Sequence, residues 1–174
     1  MRELKFTVAD TPQQKRSATP MVVVPKSRKG QTVRCIYCQK KTPVKTFMAA
    51  NPKNETNAAP FIYGVRGAGW RNEPLHTGPV AIFIYLAFPY LKSWSKKRLE
   101  TAEDSPKITM PDVDRLENQL FDSLSGIVWK DDAQIFYVTA IKIYSEKPRT
   151  VVKIQLYDVG EQIEIGVDYE WRGQ

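Results

Sequence analysis

The nine residues from Val80 to Phe88 constrain this chain most. They read Val-Ala-Ile-Phe-Ile-Tyr-Leu-Ala-Phe, carry no charge, and are bracketed by Pro79 and Pro89. β-branched and aromatic side chains dominate, and the prolines bound the run without entering it, which predicts a central strand. The run is far too short to cross a bilayer as a helix, which takes about 20 apolar residues. No secretory leader follows Met1-Arg2-Glu3-Leu4, so the expectation is a cytoplasmic protein with no membrane partner.

Other elements assemble around that strand. Leu4 to Val8 alternates as a strand does and stops at Ala9-Asp10-Thr11-Pro12, and Met21 to Val24 is a short apolar run ended by Pro25. Residues 31–77 hold several prolines, the polar stretch from Asn51 to Asn57, and Gly64, Gly67 and Gly69. They are expected to be a loop-rich insertion with one or two short strands. Ser93 to Glu100 predicts a short helix with a serine cap. After Pro111 the apolar residues Val113, Leu116, Leu120, Phe121 and Leu124 fall on one helical stripe. Asp112 suits the N-cap of that helix, Asp114 its first turn, and Ser125-Gly126 its end. Strands follow at Ile135–Tyr144 and Val151–Tyr157, and residues 160–174 form an acidic tail with Glu161, Glu164, Asp168 and Glu170. At 174 residues and 42% hydrophobic composition, the economical reading is one α+β domain. It has a small mixed sheet of about four strands and two helices.

Composition narrows the chemistry. A single histidine, His76, rules out most His-based triads and HxH metal sites, and two cysteines do not make a disulfide scaffold. The net charge of +7 is unevenly spread: +9 over residues 1–49, +3 over 50–110 and −5 over 111–174. A basic front can accept a polyanion while the rear concentrates carboxylates.

Two acid pairs stand out in the rear: Asp112 with Asp114, and Asp131 with Asp132. Two residues apart on a regular helix, side chains point about 200° apart. Asp112 and Asp114 share a ligand only if Asp112 is still extended and Asp114 lies in the first turn. The helix that follows is short enough for its end to fold back beside the start of the next strand, near Asp131-Asp132. Carboxylates that converge need a cation among them. Oxygen ligands without His or Cys favour Mg²⁺ or Mn²⁺, ions suited to phosphodiester cleavage. The plain alternative is that Asp112 is a cap and Asp131-Asp132 a turn.

The segments Asp112-Val113-Asp114-Arg115-Leu116, Phe121-Asp122-Ser123-Leu124 and Trp129-Lys130-Asp131-Asp132-Ala133-Gln134-Ile135 resemble the RusA family of Holliday-junction resolvases, small dimeric endodeoxyribonucleases common in phages. The resemblance covers residues 79–157 well, fits the front loosely, and hardly reaches 31–77. It implies that Asp112, Asp114 and Asp132 hold the catalytic divalent metal, Mg²⁺ or Mn²⁺, with Asp131 in support. It also implies a homodimer acting on four-way DNA junctions. By the same resemblance Lys142 contacts phosphate or steadies developing charge, and Gln134 orients water or a ligand. Two positions depart from the family pattern: Arg115 stands where it has Asn, and Asn118 where it has Lys. Asn118 still faces the side of Asp114 but supplies no charge.

Basic patches at Lys15/Arg16, Lys26/Arg28/Lys29, Lys40/Lys41/Lys45 and Lys96/Lys97/Arg98 suit phosphate contacts that position a duplex without reading its sequence. Cys35 and Cys38 have the spacing of one zinc knuckle, which supplies two of the four ligands that Zn²⁺ needs. The function implied is Mg²⁺-dependent resolution of four-way junctions. The alternatives are a non-catalytic or weakly catalytic binder of branched DNA, and a small regulatory or structural protein.

Overall fold

The computed structural model describes residues 1–16, 19–23, 45–49 and 52–163. The elements run β1 (Arg2–Val8), β2 (Thr19–Val23), β3 (Lys45–Ala49), α1 (Pro52–Gly67), β4 (Val80–Phe88), α2 (Lys96–Leu99), α3 (Val113–Leu124), a 3₁₀ turn (Asp132–Gln134), β5 (Ile135–Tyr144) and β6 (Arg149–Leu156). They divide into two compact units, one of Met1–Lys15 with Glu55–Gln174, the other Arg16–Asn54. In the smaller unit β2 and β3 pair as an antiparallel hairpin, with Thr19 opposite Ala49 and Val23 opposite Lys45.

The larger unit holds a four-stranded mixed sheet in the order β1-β6-β4-β5. β6 pairs antiparallel with both β1 and β4, while β4 and β5 are parallel. The α+β architecture and the central place of Val80–Phe88 are as expected. All nine residues of β4 are buried, because two apolar clusters meet it from opposite faces. Ile82, Ile84 and Leu86 join Leu4, Phe6, Val152 and Ile154 under the helices. Ala81, Phe83, Tyr85 and Ala87 cluster with Ile143, Val151 and Tyr157 on the other face. At the start of β5, Val80 pairs with Ile135 but Ala81 with Tyr137. The extra residue, Phe136, is 42% exposed.

α3 is the helix that the apolar stripe describes. Leu116, Leu120 and Leu124 are at most 3% exposed, and each such side chain contributes about 2 kcal/mol by leaving water. α1 is a correction to the expected loop-rich stretch. Residues 31–77 include a sixteen-residue helix, although Pro60 lies inside it. Its start obeys helix rules: Pro52 takes the first position and Glu55 the first turn. Phe61 and Val65, one turn apart, face the core. Gly64 permits the close approach, since a Cβ there would lie 2.3 Å from the Phe6 ring.

The connector from α2 to α3 runs along the outer edge of β5. Asp104 N–H donates to Tyr144 O, Tyr144 N–H to Ser105 O, and Lys107 N–H to Lys142 O, each near 3.0 Å. Glu103 ties this connector to the β5–β6 turn. It accepts from Tyr90 Oη, from Ser145 Oγ at 2.8 Å and from Glu146 N–H at 2.9 Å. Burial works against its charge, but these bonds prevail and hold the carboxyl below its ordinary range.

Candidate functional site

The site grows from both ends of α3. At its N-terminus Asp112 is the cap residue, extended at φ −72° and ψ 147°. Its side chain makes no capping bond. The carboxylate is half-exposed and lies 3.8 Å from the Arg115 guanidinium. Asp114 lies exposed in the first turn, where the helix amides favour negative charge. The extended-then-helical arrangement that the two acids need is present.

Two lysines hold this end in place. Lys142, on β5, donates from Nζ to Thr109 O at 2.9 Å and Pro111 O at 2.7 Å. It thereby fixes the backbone one residue before Asp112. Burial and then the charge of Lys107 lower its pKa, opposed by Asp112 and Tyr144. Lys107 itself is 8% exposed. Its ammonium lies 5.2 Å over the rings of both Phe88 and Tyr144 and donates to Thr109 Oγ1. Lys107 was not anticipated. It sits in a connector with no periodic pattern, and only the pairing of that connector with β5 brings it to Lys142.

Glu117 is the other unforeseen group. Half-buried and one turn after Asp114, its carboxyl is pushed up by burial and then by the Asp114 charge. Asn118 and Arg115 are exposed on the same helix.

At the far end of α3 the chain turns through Gly126, whose N–H bonds Trp129 O, and enters the 3₁₀ turn. Asp131 caps that turn, accepting from Ala133 N–H at 2.8 Å. Asp132 accepts from the indole of the fully buried Trp129 at 2.9 Å through Oδ1. Gln134 is a latch. Its oxygen accepts from the N–H groups of Lys130 and Asp131, and its amide nitrogen donates to His76 O and Gly78 O, all between 2.9 and 3.0 Å. The amide's bonding capacity is thus spent on backbone. His76 lies in the loop these bonds secure, with its ring 3.4 Å from Pro79 O.

The acids therefore stand in two groups. α3 is about 18 Å long at 1.5 Å per residue, and β5 spans about 23 Å between Ile135 and Lys142. Lys142 meets the start of α3, whereas the end of α3 leads into the start of β5, so helix and strand run in opposite directions. Asp112 and Asp114 lie at one end of that pair and Asp132 at the other. Among the described residues no three His, Cys, Asp or Glu side chains are grouped to hold a metal ion. The expected folding-back of the helix end brings Asp131-Asp132 to the start of β5 but leaves the first acid pair behind.

Residues 20–155 match the family described as endodeoxyribonuclease RusA, which is most of the chain. This chain belongs to the RusA family. The match runs through residues 31–77, which the motifs alone hardly reached. A RusA-family chain of this kind is also 38% identical over 89 residues to the uncharacterized protein YqaN of Bacillus subtilis (strain 168). That likeness covers 49% of this chain and 63% of the relative, less than two thirds of its length.

The basic residues have varied fates. Lys15 pairs with Asp122 on α3, and its backbone N–H donates to Arg115 O at 3.0 Å. It anchors the chain to the helix as well as presenting charge. Arg16 is exposed. Lys96, Lys97 and Arg98 are exposed on α2, with Arg98 stacked 4.2 Å over Trp94. That ring in turn packs edge-on against Tyr144 at 4.6 Å. Lys26, Arg28, Lys29, Lys40, Lys41, Cys35 and Cys38 lie outside the described residues, as do Glu164, Asp168 and Glu170. No helix among the described residues is long and apolar enough to cross a membrane.

Proposed function

We propose that this chain is a structure-selective endonuclease that cuts four-way DNA junctions by divalent-metal-dependent phosphodiester hydrolysis, and that it works as a homodimer. The observation that carries this reading is the start of α3. There, inside a RusA-family match, two exposed aspartates stand free of capping duty beside a lysine-pinned backbone.

The donor chemistry suits Mg²⁺ or Mn²⁺, since every candidate ligand is a carboxylate oxygen. One chain by itself does not fit a three-acid centre, because Asp132 lies a helix-length from Asp112 and Asp114. A second copy packed about a two-fold axis with the end of its α3 against the start of the first would bring the Asp132 of one chain to the Asp112 and Asp114 of the other, twice over. Two sites so formed match paired cuts on a two-fold junction. A divalent cation among these carboxylates would neutralise charge at the attacked phosphate.

The chain's own residues do the rest. Lys142 and Lys107 hold the 107–111 connector and set the direction of Asp112. The positive end of α3 favours a phosphate near Asp114. Trp129 fixes the rotamer of Asp132, leaving its second oxygen for a ligand. Asp131 and Gln134 shape the turn without touching substrate.

The test is cleavage of a labelled four-way junction and a linear duplex, with Mg²⁺ or EDTA, by the wild type and Asp114→Asn. Paired cuts confined to the junction and lost in the variant and in EDTA support the proposal. Tight binding without cuts favours a non-catalytic binder instead.

A further inference from the structure

Burial is inverted in the segment just before Asp112. Lys107 is 8% exposed, whereas Ile108 beside it is 92% exposed and Met110 65%. A single apolar side chain on a surface needs no reason. These two share one short segment, and that segment is fastened on both sides of them. Lys107 N–H donates to Lys142 O, and the Lys142 ammonium holds Thr109 O and Pro111 O. The Lys107 side chain lies over the Phe88 and Tyr144 rings and meets Thr109 Oγ1. Ile108 and Met110 alternate with this anchored pair and stand in solvent. We infer that Ile108 and Met110 are an apolar wedge that enters the base stack where a DNA duplex branches, and that they set the preference for junctions over linear duplex. The inference rests on the proposed cutting of junctions and deepens it by naming what reads the branch.

Energetics and position agree. An apolar side chain that enters a base step must unstack it, and leaving water offsets that cost. In a continuous duplex every step is stacked, so the full cost is met. At a branch point stacking is already interrupted and little of it remains. The net gain is therefore larger on a junction. Because the segment is pinned before DNA arrives, little backbone freedom is lost on insertion. Ile108 precedes Asp112 by four positions, a reach of about 14 Å at most. Successive nucleotides rise about 3.4 Å, so the opened step lies within about four nucleotides of the phosphate beside Asp112.

The experiment measures binding of the full chain to a four-way junction and to a linear duplex, in EDTA so that nothing is cut. Both DNAs carry 2-aminopurine, whose fluorescence rises on unstacking, at the same sequence positions, next to the branch in the junction. The wild type should raise the fluorescence of the junction and not of the duplex. I108S/M110S should bind the junction about tenfold more weakly, lose the fluorescence rise, and bind the duplex as the wild type does. I108L/M110L keeps both side chains apolar and should behave as the wild type. A control, Y63S/V159S, removes side chains that are 71% and 81% exposed elsewhere and should change nothing. The inference is overturned if I108S/M110S keeps its junction affinity and fluorescence rise, or loses affinity equally on both DNAs. A loss that accompanies a fall to monomers in size-exclusion also overturns it, in favour of a contact between copies. The readout is independent of cleavage. A wild type that opens the branch through these residues but never cuts it in Mg²⁺ refutes the endonuclease reading and supports the wedge. One that cuts junctions while I108S/M110S keeps full selectivity does the reverse.

Discussion

Gln134 offers the sharpest trial of how the start of β5 is built. Its side chain makes four hydrogen bonds to backbone groups of two separate segments, 76–78 and 130–131. The two to His76 O and Gly78 O are part-buried and worth about 1 kcal/mol each, the two from Lys130 and Asp131 about half that. Gln134→Ala should then cost about 3 kcal/mol, or about 6–12 °C in Tm for a chain of this size. Urea unfolding followed by tryptophan fluorescence measures it, since Trp129 and Trp70 are buried nearby. Gln134→Glu keeps the oxygen that accepts from both N–H groups but turns a carboxylate oxygen on two carbonyls. Its acid is pushed up in the folded state, so its deficit should be smallest near pH 4 and grow towards neutrality. A loss under 0.5 kcal/mol in Gln134→Ala would refute the latch. So would a fall in cleavage with stability unchanged, which would instead place Gln134 on water or ligand.

Other outcomes follow from the same geometry. Leu120→Ala, at 1% exposure, should cost about 2–5 kcal/mol through the cavity it leaves under α3, read by urea unfolding. Lys142→Met should leave Thr109 O and Pro111 O without their donor, cost about 1–2 kcal/mol and cut junction cleavage more than tenfold; full cleavage would remove Lys142 from the site. Glu103 has its pKa lowered in the folded state. The stability it contributes is thus present above the ordinary carboxylate range and lost as pH falls through its folded pKa. Glu103→Gln should be the less stable protein at pH 6, with the gap closing as pH falls through the lowered folded pKa of Glu103, as urea midpoints across an acid pH series will show. Asp132→Asn keeps an oxygen for the Trp129 indole, so its Tm should stay within about 2 °C of wild type while cleavage is lost.

Features written in local periodicity were open to reading from the residues. The uninterrupted Val80–Phe88 run declares a strand buried on both faces, and the Leu116/Leu120/Leu124 stripe declares α3. α1 escaped because Pro60, Gly64 and Gly67 resemble loop punctuation. Gly64 is there for the Phe6 ring, a contact made across 58 positions of sequence. The site divides in the same way. The acids at 112 and 114 and their extended-to-helical transition follow from a proline, a cap position and a helix start. The partnership of Lys107 with Lys142 depends on a connector lying along the β5 edge, and no local pattern encodes that. Nor does spacing reveal that α3 and β5 run in opposite directions. Asp131 lies nineteen positions after Asp112 in sequence, and the intervening helix carries them apart.

Mixing two inactive variants puts the central claim to the most direct test. Asp114→Asn and Asp132→Asn are each expected to be inactive on a four-way junction. If each site draws Asp112 and Asp114 from one chain and Asp132 from the other, a mixed dimer contains one site with both defects and one intact. Unfolding and refolding the two together should then restore nicking of one junction strand. If each site is built within a single chain, every site in the mixed dimer is defective. An equimolar mixture that stays as inactive as its parts, while size-exclusion shows dimers, would contradict the account.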